Sequence, residues 1–241
     1  MGSNEGAGVV GRYRWVVCGL LFLATTINYI DRQILALVKE FLDQELGWTN
    51  EQFGMVNSAF QGAYAVGLLA FGWFVDRFGT KIGYAVSLVL WSLSAIGHAA
   101  VGSVRGFFAA RIALGASEGG NFPSAIKAVA LWFPRRERAF ATALFNSGTN
   151  VGAIVAPALV PAIALAFGWR AAFVFAGLVG FLWLFLWIPF YEVPEKRKGL
   201  DPAELALIRS DADEGGSGGT PMGWSAALRL TSAALASGEV A

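Results

Sequence analysis

Four ionisable side chains lie inside long apolar stretches of this 241-residue sequence, namely Asp31, Arg32, Arg111 and Glu118. An apolar stretch of about 20 residues is long enough to cross a bilayer as a helix. A charge at the centre of such a helix costs about 2.5–3.5 kcal/mol on insertion scales, unless it faces a cavity or a partner. These four residues are therefore the first candidates for a functional role.

The spacing of these residues places an acid and a base on each of two helices. Asn28, Asp31 and Arg32 stand three and four residues apart, which puts them on one helix face. Arg111 and Glu118 are seven residues apart, nearly two helical turns. We expect both helices to turn these charges inward, away from lipid.

Two interpretations of these charges are open. Arg binds a carboxylate through two parallel hydrogen bonds and stays charged, whereas a carboxyl group in a dry cavity favours its neutral form unless a cation is near. An acid whose Arg partner is taken by an anionic substrate can therefore hold a proton, which would couple anion transport to proton transport. In the structural alternative, Asp31 with Arg111 or Arg32 with Glu118 is a buried pair that only fixes helix packing.

The composition excludes several classes of protein. Hydrophobic residues make up 56% of the chain and charged residues 15%, which excludes a water-soluble globule. The net charge of +1 gives no basic surface for nucleic acid. Cys18 is the single cysteine, so it forms neither a disulfide framework nor a CxxC site, and we interpret it as lipid-facing or as packing. Walker, GxSxG and metal-ligand motifs are absent, so we expect no metal, cofactor or enzymatic activity.

Six apolar segments predict six transmembrane helices, because backbone groups in hydrocarbon must be paired within the segment. The segments are Trp15–Val38, Phe53–Val75, Ile82–Val101, Phe107–Phe133, Phe140–Phe167 and Ala171–Tyr191. This divides the chain into an N-terminal segment (1–14), a transmembrane domain (15–191) and a polar linker or tail (192–241). The tail contains a weak helical pattern at Pro202–Ser210 and a Gly/Ser stretch at Gly215–Gly219.

Lys and Arg are unevenly distributed between the links. They concentrate at the N-terminus, in the second and fourth links and after the sixth span, whereas the remaining links hold only Lys39, Arg105 and Arg170. By the positive-inside rule, the N-terminus and the tail are predicted to be cytoplasmic.

Smaller patterns add local predictions. Thr49 and Gln52 have the spacing of a capping box that opens the second span. Trp169 and Trp187 are interpreted as anchors at the membrane surface, Trp183 as a lipid or packing contact, and His98 as a residue of the membrane interface.

Small and neutral polar residues mark places where helices could approach each other or line a cavity. GxxxG patterns at Gly115/Gly119 and Gly148/Gly152 allow close contact between backbones. Neutral polar side chains in the second and fifth spans could line a solute pathway or only bond between helices: Gln61, Tyr64, Asn146, Thr149 and Asn150.

The link between the second and third spans reads GWFVDRFGTK at residues 72–81. It resembles the cytoplasmic signature loop of the major facilitator superfamily, and Arg111 with Gly115 and Gly119 resembles the second motif of that superfamily. The resemblance implies an all-α membrane protein in which six helices form two inverted three-helix repeats, the N-terminal half of that fold. It also implies a conformational gate made of Gly72, Asp76, Arg77, Gly79 and Lys81.

A finer resemblance is to the anion:cation symporter branch, and within it to hexuronate transporters. It rests on residues 28–32 (NYIDR), 79–85 (GTKIGYA), 132–138 (WFPRRER) and 145–157. It implies uptake of glucuronate or galacturonate with a proton across the bacterial inner membrane. By position, Arg32 would bind the sugar carboxylate, Tyr29 and Asn150 would contact the sugar with Gln61 as a further candidate, Asp31 and Glu118 would couple protons, and Arg111 would pair with Glu118.

The resemblance covers residues 12 to about 200, whereas members of the family have twelve helices in two halves. Gly223–Leu230 looks like the approach to a seventh helix that is not completed, so we expect a truncated or frameshifted product. The expected partners are lipid, an organic anion, a proton, and either the missing C-terminal half or a second copy. The alternatives are a non-transporting remnant or partner subunit, and a carrier of another anion such as galactonate or an aromatic acid.

Overall fold

A computed structural model of the chain describes residues 11–210, and one compact unit within it extends to Ile208. The Gly/Ser stretch and the approach to a seventh helix that were predicted after residue 210 lie outside the described residues. The secondary structure of the described range consists of ten α-helices and a 3-10 turn at Pro194–Lys196. The helices are α1 (Tyr13–Leu37), α2 (Lys39–Leu46), α3 (Asn50–Phe78), α4 (Thr80–His98), α5 (Val104–Glu118), α6 (Asn121–Trp132), α7 (Arg135–Asn146), α8 (Gly148–Phe167), α9 (Trp169–Phe190) and α10 (Pro202–Arg209).

Five helical segments are long and apolar enough to cross a membrane. They are α1, α3, α4, the combined α7 and α8, and α9. The remaining predicted span, 107–133, consists of α5 and α6, each too short to cross alone. Gly119 and Gly120 between them keep right-handed helical backbone angles, so the two helices follow each other with only a local irregularity. All six predicted segments are therefore helical.

The helix pairs have the symmetry of an inverted repeat. The most extensive contacts join α1 with α8, α3 with α5 and α4 with α9. In the order of the predicted spans, these are the first with the fifth, the second with the fourth, and the third with the sixth. If the first span is exchanged with the fourth, the second with the fifth and the third with the sixth, the same set of pairs results. Two inverted three-helix repeats require this symmetry.

Glycines allow two of these pairs to pack backbone against backbone. A Cβ atom on Gly115 of α5 would overlap the carbonyl oxygen of Phe60 on α3, and one on Gly119 would also meet the α3 backbone. A Cβ atom on Gly148 of α8 would lie 2.5 Å from the carbonyl oxygen of Phe22 on α1. Both GxxxG patterns therefore lie at close helix contacts, as predicted.

The link between α1 and α3 is more ordered than the sequence suggested. The capping box is confirmed, because Thr49 Oγ1 accepts from the Gln52 N–H and the Gln52 side chain accepts from the Thr49 N–H. The link also contains α2, a helix that the sequence analysis missed. α2 ends at Leu46, and the following Gly47 has a φ of 60°, which lies in the left-handed region that glycine tolerates.

Two tryptophans predicted as surface anchors are inside the protein, so that prediction is wrong. Trp169 is 5% exposed and its indole N–H donates to Glu45, while Trp187 is fully buried and donates to the carbonyl oxygen of Lys81. An indole ring suits either a lipid interface or a protein interior with an acceptor in reach. Here Glu45 of α2 and the Lys81 carbonyl oxygen of α4 are the acceptors. Trp183 is also buried, so it is a packing contact.

His98 and Cys18 are likewise interior residues. His98 is fully buried, its ring stacks on Phe173, and its Nδ1 lies 2.7 Å from the Ser94 carbonyl oxygen. This corrects its interpretation as a residue of the membrane interface. Cys18 is fully buried with its sulfur 3.5 Å from the Ala141 carbonyl oxygen, so the packing interpretation holds and the lipid-facing one does not.

A carboxylate from α10 caps the start of α1. Glu204 is 1% exposed and accepts hydrogen bonds from the backbone N–H groups of Tyr13 and Arg14, each at 3.0 Å. The Arg14 guanidinium also donates to Glu204 at 3.2 Å and to Glu137 of α7 at 2.9 Å. The helix predicted at Pro202–Ser210 is thus present and fastens the segment after the sixth span to the first helix.

Candidate functional site

The central feature of the site is an ion pair between the first and fourth predicted spans. Arg32 Nε of α1 donates to Glu118 Oε2 of α5 at 2.7 Å. The Glu118 side chain is fully buried, whereas the Arg32 side chain remains 25% exposed. The pair therefore has one partner that an incoming solute could reach and one that it could not.

Aromatic rings of α3 hold the Arg32 guanidinium in place. The guanidinium carbon lies 4.2 Å from the ring centroid of Tyr64 and 5.5 Å from that of Phe60. These two rings are one helical turn apart on α3 and stack on each other. Such cation–π contacts orient a cation without neutralising it, so Arg32 keeps its capacity to bind an anion.

Arg111 of α5 does not form the ion pair that was predicted for it. It is 2% exposed, and its Nη2 lies 3.4 Å from the Arg32 carbonyl oxygen and 3.5 Å from Asn57 Oδ1. Within residues 11–210, no carboxylate oxygen lies within 4 Å of a side-chain nitrogen of Arg111. The predicted ion pair of Arg111 with Glu118 is therefore not formed, and Glu118 pairs with Arg32 instead. The reason is geometric: seven residues rise about 10 Å along a helix, and Arg32 already occupies Glu118.

Asp31 has an indole as its direct partner. Asp31 is 1% exposed, and Trp91 Nε1 of α4 donates to its Oδ2 at 2.7 Å. Among the described residues, Asp31 Oδ1 and the neighbouring Asn28 Nδ2 have no hydrogen-bond partner. The alternative pair of Asp31 with Arg111 is therefore not formed.

The predicted sugar-contacting residues lie on three helices. Tyr29 of α1 is partly buried, and its Cβ lies beside Gly152 of α8. Asn150 of α8 and Gln61 of α3 are exposed. The structure thus leaves the side chains of Asn150 and Gln61 accessible, and their roles stay predictions.

Asp76 of the signature loop is bound within this chain. Asp76 Oδ1 accepts from Lys127 Nζ of α6 at 2.7 Å, and Lys127 also donates to the Val75 carbonyl oxygen at 3.0 Å. In the sequence, Lys127 is only one of several basic residues near a link, and it carries no signal that would connect it to Asp76. The loop is therefore fastened to the fourth predicted span.

Lys81 of the same loop is tied to the segment after the sixth span. Its Nζ lies 2.9 Å from Glu192 Oε2, and the hydrogen bond to Lys81 is the main cause that lowers the pKa of Glu192. Gly79 joins α3 to α4 with a φ of 85°, which only glycine adopts readily. Arg77 is exposed, and a Cβ atom on Gly72 would have no described neighbour within 4 Å.

Inverted repeats with a partly buried charge pair between the first and fourth spans are typical of multi-pass membrane transporters. The sequence comparisons agree with this class. The family model described as "Major Facilitator Superfamily" matches residues 21–237. The chain belongs to this superfamily.

Several similar curated proteins are named as transporters of sugar acids. The "Hexuronate transporter" of Escherichia coli strain K12 is 36% identical over 195 residues, which cover 81% of this chain and 45% of that protein. The "Galacturonate transporter" of Dickeya chrysanthemi is 33% identical over 197 residues, covering 82% of this chain and 57% of that protein. The "Probable galactarate/D-glucarate transporter GudP" of Bacillus subtilis strain 168 is 36% identical over 208 residues, covering 84% and 46%.

Solved structures confirm the fold. The "MFS (major facilitator superfamily) proton:xylose symporter XylE bound to 6-bromo-6-deoxy-D-glucose" superposes with a TM-score of 0.71 at 19% identity, covering 86% of this chain and 55% of that one. A "Bacterial Homolog to Human Lysosomal Transporter, Spinster" gives 0.68 at 21% identity, covering 90% and 50%. The chain has the N-terminal half of this fold, as predicted, and spans about half the length of the curated relatives that it matches.

Proposed function

We propose that this chain is the N-terminal half of a proton-coupled symporter for sugar acids, with hexuronates as the first candidates. The Arg32–Glu118 ion pair is the observation that carries the proposal. The names of the relatives supply the substrate class, because several of them transport hexuronates, galacturonate or galactarate.

Substrate binding begins with competition for Arg32. The carboxylate of a sugar acid can reach the partly exposed guanidinium, whereas Glu118 is fully buried behind it. A carboxylate can bind the planar guanidinium through two parallel hydrogen bonds. The substrate therefore replaces Glu118 as the partner of Arg32. Tyr29, Asn150 and Gln61 contact the rest of the sugar.

Proton coupling follows from the loss of that partner. A buried carboxylate without a cation is strongly unfavourable, so Glu118 takes up a proton when Arg32 turns to the substrate. One anion and one proton are then bound together. Asp31 is a second proton-accepting carboxyl, and Arg111 acts on the charge of both acids from its buried position. Transport follows from a shift between outward-facing and inward-facing states.

The membrane context is part of the same proposal. The protein lies in a bacterial inner membrane with its N-terminus and the segment after α9 in the cytoplasm, where the residues of the signature loop act as a gate. The transport pathway is completed by a C-terminal half or by a second copy. The chain itself carries out no covalent chemistry.

Uptake of radiolabelled galacturonate and glucuronate tests this function. If a second copy completes the pathway, cells that produce residues 1–241 should accumulate one or both compounds, and a protonophore should abolish the accumulation. Unlabelled galactonate and an aromatic acid, added as competitors, identify another preferred anion. Absence of uptake by a chain shown to be inserted in the membrane contradicts transport by copies of this chain alone. Uptake that then appears when a C-terminal half is produced together with the chain supports the half-symporter, and continued absence favours a non-transporting partner subunit.

Two variants separate substrate binding from proton coupling. Arg32→Ala should abolish uptake, because the substrate carboxylate loses its ligand. Glu118→Gln should still bind and exchange substrate but should no longer accumulate it in response to pH. Near-normal uptake by Arg32→Ala at low substrate concentration would remove Arg32 from the site, and unchanged accumulation by Glu118→Gln would remove Glu118 from the proton path.

A further inference from the structure

We propose that Trp91 is a positioning residue for Asp31, which directs the proton of that carboxyl group to Oδ1. This inference rests on the proposed function only in taking Asp31 as a group that binds and releases a proton. It goes beyond that function by naming the oxygen that is protonated and the residue on another helix that selects it.

The hydrogen bond defines which oxygen is available. Trp91 is fully buried in α4, and its indole N–H donates to Asp31 Oδ2 at 2.7 Å. An indole is a donor only, so it cannot accept a proton from Oδ2. Oδ2 therefore stays the acceptor in both charge states, and the proton binds Oδ1, which has no hydrogen-bond partner among the described residues.

The ionisable groups around Asp31 leave this indole as its direct donor. Glu118 and Arg111, both on α5, act on Asp31 through their charges without an ion pair to it within the described range. Among the helices packed against α1, the sequence of α8 contains no ionisable residue, and α9 contains only Arg170, at its first turn.

The remaining neighbours place their charges near helix ends or in other contacts. α4 carries Lys81 and His98 at its two ends, and its Tyr84 bonds to Asn121. α6 carries Lys127, α7 carries four ionisable residues in its first turn, and α2 carries Lys39, Glu40, Asp43 and Glu45 in the link to α3. A neutral donor stabilises a carboxylate less than a cation does, so Asp31 is oriented and still able to take a proton.

A second buried tryptophan provides a matched control. Trp183 of α9 is 2% exposed and donates its indole N–H to α1 as well, but to the carbonyl oxygen of Leu20 at 2.9 Å. Trp91→Phe and Trp183→Phe therefore remove the same atoms from similarly buried sites against the same helix. Only the first removes a donor from a carboxylate.

Infrared titration of the full 241-residue chain in lipid bilayers, without substrate, tests the assignment. The carbonyl band of protonated Asp31 is identified by its loss in Asp31→Asn. We expect Trp91→Phe to raise the pH midpoint of this band by about one unit, since one hydrogen bond to the ionised form is lost, and to shift the band to the frequency of a carbonyl group without a donor. Trp183→Phe should leave both the midpoint and the frequency unchanged.

The indole signals of the unmodified chain give a second measurement that does not depend on the stability of a variant. The indole N–H resonance of Trp91 should titrate with the midpoint of the Asp31 band, whereas that of Trp183 should not. Equal midpoints in Trp91→Phe and the unmodified chain, or an indole signal of Trp91 that does not follow Asp31, would overturn the proposal. Because no substrate is present, these results are independent of whether the chain transports sugar acids.

Discussion

At the scale of single residues, the two partners of the central ion pair are not equivalent. Arg32 is one quarter exposed and Glu118 is fully buried. Removing Arg32 leaves a buried carboxyl group that must either carry its charge without a cation or take up a proton, whereas removing Glu118 leaves a guanidinium that can reach solvent. The loss of stability on breaking this ion pair should therefore depend on which of the two partners is removed.

We predict that Arg32→Gln lowers the free energy of unfolding by about 3 kcal/mol at neutral pH and that Glu118→Gln lowers it by clearly less. The deficit of Arg32→Gln should shrink as the pH falls, because protonation of the buried Glu118 carboxyl group costs less free energy at lower pH. Thermal unfolding of both variants in lipid bilayers, at neutral and acidic pH, measures this difference. Equal deficits at every pH would show that the burial of Glu118 does not decide the energetics.

The sequence predicted which residues form the charged cluster and named Arg32 with Glu118 as a possible pair, which the structure contains, but it also offered two pairs of Arg111 that are not formed. Asp31, Arg32 and Glu118 stand out because charges are rare in apolar spans, and their helical spacing indicates the face that they share. The prediction that Arg111 pairs with Glu118 was wrong, because the two lie on one helix about two turns apart. The donor from Trp91 could not be predicted, since a buried tryptophan in a span has many possible acceptors.

At the scale of helices, the spans were predicted well because apolar runs of the required length have few alternatives. Shorter or less apolar elements were harder. α2 lies in an acidic link and was missed, and the break between α5 and α6 was not visible because Gly119 and Gly120 keep helical backbone angles. The burial of Trp169 and Trp187 was missed because the same residue type is favoured at membrane surfaces.

Glycines at the α3–α5 contact give a prediction at this scale. A Cβ atom on Gly119 would overlap the carbonyl carbon of Gly67, a backbone atom that cannot yield without moving the helix. Gly119→Ala should therefore lower the free energy of unfolding by about 1–3 kcal/mol, as overpacking does. Gly62→Ala on α3 is the control, because no described atom lies within 4 Å of its Cβ position, and it should be neutral or slightly stabilising.

Denaturation of the two alanine variants and the unmodified chain in the same detergent distinguishes close packing from helix propensity. If Gly119→Ala were as stable as Gly62→Ala, the contact between α3 and α5 would be looser than the structure indicates.

At the scale of the whole molecule, ion pairs join parts of the chain that lie far apart in the sequence. Lys81 between the second and third spans binds Glu192 after the sixth, and Asp76 binds Lys127. Neither pair could be predicted from the sequence, because a basic residue in a link or near the end of a span has the same appearance whether it faces solvent, a headgroup or a carboxylate.

The Lys81–Glu192 pair predicts a pH dependence of stability. The hydrogen bond from Lys81 lowers the pKa of Glu192 in the folded chain. The contribution of the pair to stability is therefore present above the pKa that Glu192 has in the unfolded chain, and it is lost as the pH falls through the pKa of Glu192 in the folded chain. Lys81→Met should cost less than about 1 kcal/mol at neutral pH, because the pair is partly exposed, and should cost nothing at acidic pH. Arg77→Met, an exposed neighbouring cation, is the control.

Unfolding midpoints of Lys81→Met and Arg77→Met, measured as a function of pH, test this prediction. A cost of Lys81→Met that persisted at acidic pH would assign its effect to packing of the lysine stem.

The cap that Glu204 places on α1 has a consequence for biosynthesis. The N–H groups of Tyr13 and Arg14 leave the ribosome early, and the carboxylate that satisfies them follows about 190 residues later. During translation, the N–H groups at the N-terminus of α1 therefore lack this carboxylate and remain free to bind water until all six spans have been synthesised. The order of synthesis thus delays the capping of α1 by α10 until the six-span bundle has been made.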